Sequence, residues 1–331
     1  MDKRELVLQT FNNERPERTP VGFWFHFIED PEADGFKNPA LFQQNIAGHK
    51  KFFEEFEPDF VKIMTDGFFI YPNERFIKAR NAAEFGAIES IGANNEWIEK
   101  QVEFAKTIRA MLDGKVLSFY NVFSPATLFR FCRKLPDGKR LADFIIEDRE
   151  AAARALNTVA RDLAVLVERI LGEAEIDGIY YSVQDINDER IDDWLRQNIL
   201  DPVNCAVLDA ANKKSRYNIL HICGYEGFHN KLSHFIDYPA QIINWAAVVE
   251  NETLGKGKKL FNGKPVIGGF GSTTRDVLYR GGRPEIEAKT AAILQEAGTK
   301  GIALGADCTL PPDINLDHLR RVRDKAAAIS K

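Results

Sequence analysis

Eight short apolar runs, spread along 331 residues and mostly followed by helical patterns, are the tightest constraint on how this chain folds. The runs are residues 21–27, 60–64, 116–123, 178–183, 217–224, 242–246, 265–271 and 300–305. Helical periodicity fills residues 2–13, 39–56, 96–112, 142–171, 191–212, 285–297 and 316–329, with a break at Glu147-Asp148 and a terminating Gly298. Strands this short and this apolar, alternating with helices, belong to a parallel sheet with crossover helices on its faces. Eight such units at this length predict an α/β fold of the (β/α)8 TIM-barrel type. No internal repeat, low-complexity stretch or linker interrupts the pattern, so residues 1–331 read as a single domain.

Charge and cysteine usage then narrow the function. The formal net charge is -5 and the isoelectric point is near 5.8, which leaves no basic surplus for neutralising phosphates and argues against nucleic acid as a partner. No apolar run approaches the length of a membrane span, and Met1-Asp2-Lys3-Arg4-Glu5 is too charged to open a secretion signal. A cytoplasmic location is therefore expected, with no membrane association. Four cysteines without a regular framework fit a reducing compartment, where thiols serve as ligands or nucleophiles. Cys132 and Cys205 read as structural.

In a barrel of this kind the chemistry sits where strands end, at the C-terminal face. The residues ending the runs are Trp24, His26, Asp66, Asn121, Tyr181, Gln184, His221, Cys223, Trp245, Gly269 and Cys308. His221 and Cys223 are two apart, so on an extended strand they share one face. Imidazole and thiolate side by side are zinc ligands above all, and Cys308, just after the last apolar run, is the candidate third. One histidine and two cysteines describe a catalytic zinc with an open fourth position. Buried cysteine as a small hydrophobe is the plainer alternative. Asp66 and Asp185 fit acid-base or substrate-binding carboxylates, or simple helix caps. His26 reads as a hydrogen-bonded pocket residue. Trp24, Tyr181 and Trp245 could wall a pocket for a flat or bulky substrate, or merely pack. Gly268-Gly269-Phe270-Gly271 could cradle a phosphate, although close backbone approach explains it equally well.

Arg15-Pro16-Glu17-Arg18-Thr19-Pro20-Val21, the stretch from Pro58-Asp59-Phe60 to Asp66, and Gly298 through Asn315 carry a family resemblance. Along its whole length the chain resembles the uroporphyrinogen decarboxylase superfamily, which also contains the methylcobamide:coenzyme M and related corrinoid-dependent methyltransferases. In that methyltransferase branch zinc is held by a His-x-Cys pair after the fifth strand and a cysteine after the eighth, which His221, Cys223 and Cys308 match. The resemblance implies transfer of a methyl group from a corrinoid, a methylcobamide carried by a partner protein, to a small thiol activated by Zn2+. It further implies Asp66 as the catalytic carboxylate, with Asp66 and Gln184 orienting the substrate, and a possible homodimer. The decarboxylase branch resembles this chain less closely. Its arginine-rich motif after the first strand is represented here by Phe23-Trp24-Phe25-His26-Phe27-Ile28-Glu29-Asp30, without an arginine, and the histidine expected after the eighth strand is replaced by Ala306-Asp307-Cys308. A uroporphyrinogen decarboxylase of porphyrin and haem biosynthesis, and a non-catalytic corrinoid- or metal-binding barrel, stand as the alternatives.

Overall fold

The computed structural model describes residues 2–133 and 140–330. Seven strands form one sheet: β1 (Phe60–Ile63), β2 (Leu117–Phe123), β3 (Gly178–Val183), β4 (Ile219–Ile222), β5 (Ile242–Trp245), β6 (Val266–Phe270) and β7 (Ile302–Ala306). Every neighbouring pair is parallel and the spatial order is the order of the sequence. Right-handed twist curls such a sheet, with crossover helices outside it. Of the expected helices, 142–171 is two, Leu141–Glu147 and Arg149–Glu173, split at Asp148, whose side chain caps the second. The expected helix 191–212 contains a π turn, Arg196–Leu200, immediately before Pro202, which has no N–H to continue the α-helical ladder.

The expected first strand, residues 21–27, is not a strand, and among the described residues the count is seven instead of eight. Val21 and Phe25 make only isolated bridges, to Leu304 and Leu310. Carboxylates explain why. Val21 N–H donates to Asp59 Oδ2 at 2.8 Å and Phe27 N–H to Asp66 Oδ2 at 2.7 Å, so side chains take the donors that a ladder on the β1 side would use. The segment nevertheless touches both edges of the sheet. Gly22 N–H donates to the Leu304 carbonyl (3.0 Å), Leu304 N–H to that of Pro20 (2.9 Å), and Asp59 N–H to that of Val21 (3.0 Å). The sheet thereby curls into a TIM-like arrangement.

Alternate residues divide the core in two. Phe60, Met64, Leu117, Phe119, Tyr180, Ile219, Ile242, Ile267 and Ala303 fill the inside together with Trp24, while their sequence neighbours pack outward under the helices. Helix Lys3–Phe11 plugs one end: Val7 and Phe11 join the inner cluster, and Arg4 reaches the Val116 carbonyl (2.9 Å) and Asp177 (2.5 Å). Both partners precede strands, so the N-terminal face is closed and the opposite face is left for chemistry. No helix among the described residues is long and apolar enough to cross a membrane.

Helix Ala40–Phe56 is docked on β1 by a buried histidine. His49 Nε2 accepts from Met64 N–H (3.0 Å) and Nδ1 donates to the Asn45 carbonyl (3.0 Å), while burial pushes its pKa down to about 4. The unfolded chain would protonate this imidazole near 6.5. The stability His49 provides is therefore complete above that pH and is lost as pH falls from about 6.5 towards 4, amounting to about 2 kcal/mol by pH 5. Urea midpoints between pH 7 and 5 should fall less steeply for His49→Gln than for the parent; parallel slopes would mean that this imidazole charges freely in the folded state.

Candidate metal centre

β4 ends in His221 and Ile222, and Cys223 follows at once, tied to the sheet by its N–H on the Val183 carbonyl at 2.9 Å. Both side chains face inward, as their spacing predicts. Cys308 arrives from the far side of the sheet, after β7, where Asp307 N–H donates to the Phe270 carbonyl at 2.8 Å. The ligand atoms of His221, Cys223 and Cys308 all lie within 4.8 Å of one another. No fourth His, Cys, Asp or Glu joins them among the described residues.

The neighbouring strand fixes the imidazole. His221 pairs in register with Asn244 of β5, and Asn244 Oδ1 accepts from His221 Nδ1 and from the Tyr180 hydroxyl, both at 2.5 Å. Asn244 Nδ2 in turn donates to the Ile267 carbonyl at 2.9 Å. This pattern puts the proton on Nδ1 and leaves Nε2, buried and without a partner, as a lone pair aimed at the sulfurs. Such a lone pair is costly in isolation and suited to a cation. The Cys308 thiol is held below the usual range, first by a hydrogen bond from Cys223, while the Cys223 thiol, as donor to Cys308, is pushed up first by that same bond. The donor set fits zinc: two thiols and an imidazole lone pair converge, and the thiol protons are ones that a metal would displace.

Sequence reasoning missed Asn244, which a lone amide in an apolar strand does not advertise. Asn244→Ala should weaken zinc binding about 10- to 100-fold in a chelator competition while leaving the saturating stoichiometry unchanged, since outer partners orient ligands without holding the metal. Equal affinities would show that the orientation is set elsewhere. It also missed Lys62, which points inward from β1 with its ammonium 4.0 Å from the Tyr180 ring centroid and 5.5 Å from that of Trp24. Burial lowers its pKa to about 8, against the pull of Cys308, Cys223 and Asp66.

The other expected site residues divide between inside and outside. Trp24 lies inside, edge-on to Tyr180 at 5.3 Å, as floor. Gln184 borders the centre, its Nε2 donating to the Cys223 carbonyl at 3.2 Å, and lines a cavity of about 400 Å3 with Phe129, Arg130 and Phe228. Asp66 is fully buried, with Oδ1 accepting from His26 Nδ1 (2.7 Å) and Oδ2 from Phe27 N–H, so it reaches a substrate only through His26, which is one-third exposed. Tyr181 and Trp245 are turned away. Both sit in the outer core, Trp245 against Phe261 with its Nε1 donating to the Glu252 carbonyl, because strand parity sends odd residues outward in β3 and β5. Asp185 caps no helix: it holds the loop after β4 through His234 and Lys231 N–H. Gly268 and Gly269 have φ of 146° and 105° and face Leu254 and Ile293, which is close approach of helices and no phosphate cradle. Cys132 and Cys205 are pushed up to about 12 by burial and take no part.

Aromatic residues crowd the mouth. Phe69, Phe123 and Phe131 contact one another at 4.7 to 5.1 Å, Arg130 lies over Phe131 (4.7 Å) and donates to the Tyr225 hydroxyl, and Tyr225 stacks on Phe228 at 5.1 Å.

Residues 75–329 match the family model described as uroporphyrinogen decarboxylase (URO-D). No curated protein sequence matches the chain. Among solved structures it is similar to a methyltransferase from Methanosarcina mazei, with 14% identity, full coverage of both chains and a TM-score of 0.71. A protein from Listeria monocytogenes named for vitamin-B12-independent methionine synthase is 14% identical over 94% of this chain and 96% of its own, with a TM-score of 0.56. A β-mannanase from the blue mussel Mytilus edulis is 11% identical over 95% and 93%, with a TM-score of 0.52. Likeness to enzymes of such different names establishes the fold and no reaction.

Proposed function

Because the chain belongs to the uroporphyrinogen decarboxylase (URO-D) family, we propose that it is the zinc-dependent methyltransferase kind of member, moving a methyl group from a corrinoid on a partner protein to a small thiol. The observation that carries this reading is the convergence of His221, Cys223 and Cys308 from two distant strands, with the His221 lone pair unspent. Zinc held by these three would supply Lewis acidity, keeping a thiol in its nucleophilic thiolate form at neutral pH. Asn244 keeps the His221 donor atom aimed. Gln184, anchored beside Cys223, borders the space for the rest of the thiol. His26, oriented by Asp66, offers an acceptor at the mouth for the departing thiol proton. The aromatic residues Phe123, Phe131, Tyr225 and Phe228 suit a flat macrocycle presented by another protein. In the transfer, sulfur bonds to the methyl carbon as the carrier–methyl bond breaks, and the electron pair of that bond stays on the carrier.

Decarboxylation of a porphyrinogen has little to support it here. No arginine occurs between Phe23 and Asp30 to pair with substrate carboxylates, as a guanidinium fork would. Incubation of the zinc-loaded protein with methylcobalamin and 2-mercaptoethanol should demethylate the corrinoid and yield the methyl thioether. Absence of that product across several small thiols, with coproporphyrinogen formed from uroporphyrinogen instead, would replace the methyltransferase reading by the decarboxylase one.

A further inference from the structure

We propose that Lys62 is the built-in counter-charge for an anion held at the open position of the metal centre formed by His221, Cys223 and Cys308. The inference rests on the metal reading above and adds to it a preference for anionic over neutral ligands. Lys62 stands inside the barrel between Phe60 and Met64, is only 6% exposed, and lies against the faces of Tyr180 and Trp24. Its ammonium donates no hydrogen bond to any described residue, although it carries three donors. Aromatic faces compensate such a charge only in part. Asp66, the one carboxylate that pulls on it, already spends both oxygens on His26 and Phe27 N–H. Tyr180 joins Lys62 to the centre, its ring centroid 4.0 Å from the ammonium and 5.1 Å from that of His221, and Cys308 and Cys223 pull on the ammonium ahead of Asp66.

Charge arithmetic gives the arrangement its use. A divalent cation with two thiolates and a neutral imidazole sums to zero, so the Lys62 ammonium gains nothing from the bare centre. A neutral fourth ligand leaves that sum unchanged. A thiolate or any other monoanion brings the centre to minus one, and Lys62 restores neutrality in a half-buried site, where one such charge is worth on the order of tenfold in affinity.

The test uses the full chain with cobalt(II) in place of zinc, whose visible absorption reports ligand exchange. Azide, imidazole and 2-mercaptoethanol are titrated into the parent, Lys62→Met and Lys62→Gln. Both variants should bind azide and 2-mercaptoethanol about tenfold more weakly and imidazole within about twofold of the parent, with thiol binding moved up by about one pH unit. Unchanged azide affinity, or an equal loss for imidazole, overturns the proposal, the second result marking Lys62 as a packing residue. Should Lys62→Met not fold, Lys62→Gln gives the same comparison. If thiols never perturb the cobalt spectrum of the parent but azide does, the thiol reading falls while the azide comparison still decides the role of Lys62. If the parent takes up neither cobalt nor zinc, both fall.

Discussion

Cys308→Ala is expected to reduce bound zinc from about one per chain to under about a tenth, measured by elemental analysis of protein purified without added metal. Three ligands are the fewest that hold a catalytic zinc, and loss of one thiolate also removes half of the negative charge that draws the cation in. The effect should be confined to the metal. The inner cluster around Phe60, Phe119 and Tyr180 is hydrophobic and complete beneath the site, so circular dichroism and the unfolding midpoint should remain near those of the parent. Cys223→Ala should behave alike, whereas Cys205→Ala, at a thiol held on the outer side, should keep its zinc. Retention of a full equivalent of zinc by both Cys308→Ala and Cys223→Ala would remove the centre altogether.

Asp59→Ala is expected to cost roughly 3–5 kcal/mol of stability, the range for breaking one side of a buried ion pair. Asp59 is fully buried and accepts from both terminal nitrogens of Arg18, each at 2.6 Å, while the Val21 N–H shares its Oδ2. The pairing holds the guanidinium of Arg18 above its already high range, first through these hydrogen bonds. Truncation leaves a half-buried cation and a buried amide without acceptors, and loosens the segment that joins β1 to β7. Asp59→Asn, retaining one acceptor oxygen for Val21, should lose less. Urea unfolding decides the matter, and a loss below about 0.5 kcal/mol would show that the closure rests on its backbone hydrogen bonds alone.

What the sequence made legible follows from its periodicities. Seven of the eight apolar runs became strands because each is short, apolar on both faces and flanked by helix signals. His221 and Cys223 were readable because two-residue spacing on a strand has only one geometric meaning. The parity of β3 was not readable: Tyr180 and Tyr181 are adjacent, equally aromatic and equally buried, and in a parallel sheet covered on both sides hydropathy does not alternate. The same ambiguity misplaced Trp245. Residues 21–27 look like a strand because hydropathy records burial, which they have, whereas the carboxylates that capture their N–H groups come from residues 59 and 66. Lys62 and Asn244 escaped because their roles are set by contacts with Tyr180 and His221, far away in sequence.

The seam at Pro20–Phe25 also bears on how the chain is made. Val21 leaves a ribosome 283 residues ahead of its bridging partner Leu304, on the order of tens of seconds earlier at ordinary elongation rates. Through that interval the segment can dock on the β1 side through Asp59 and Asp66, but Phe23-Trp24-Phe25 has neither β7 nor Leu310 to cover its other side. The nascent chain thus presents an aromatic stretch with one side uncovered until β7 is synthesised, which makes this seam a surface that a helper chaperone, or a second nascent copy, can bind.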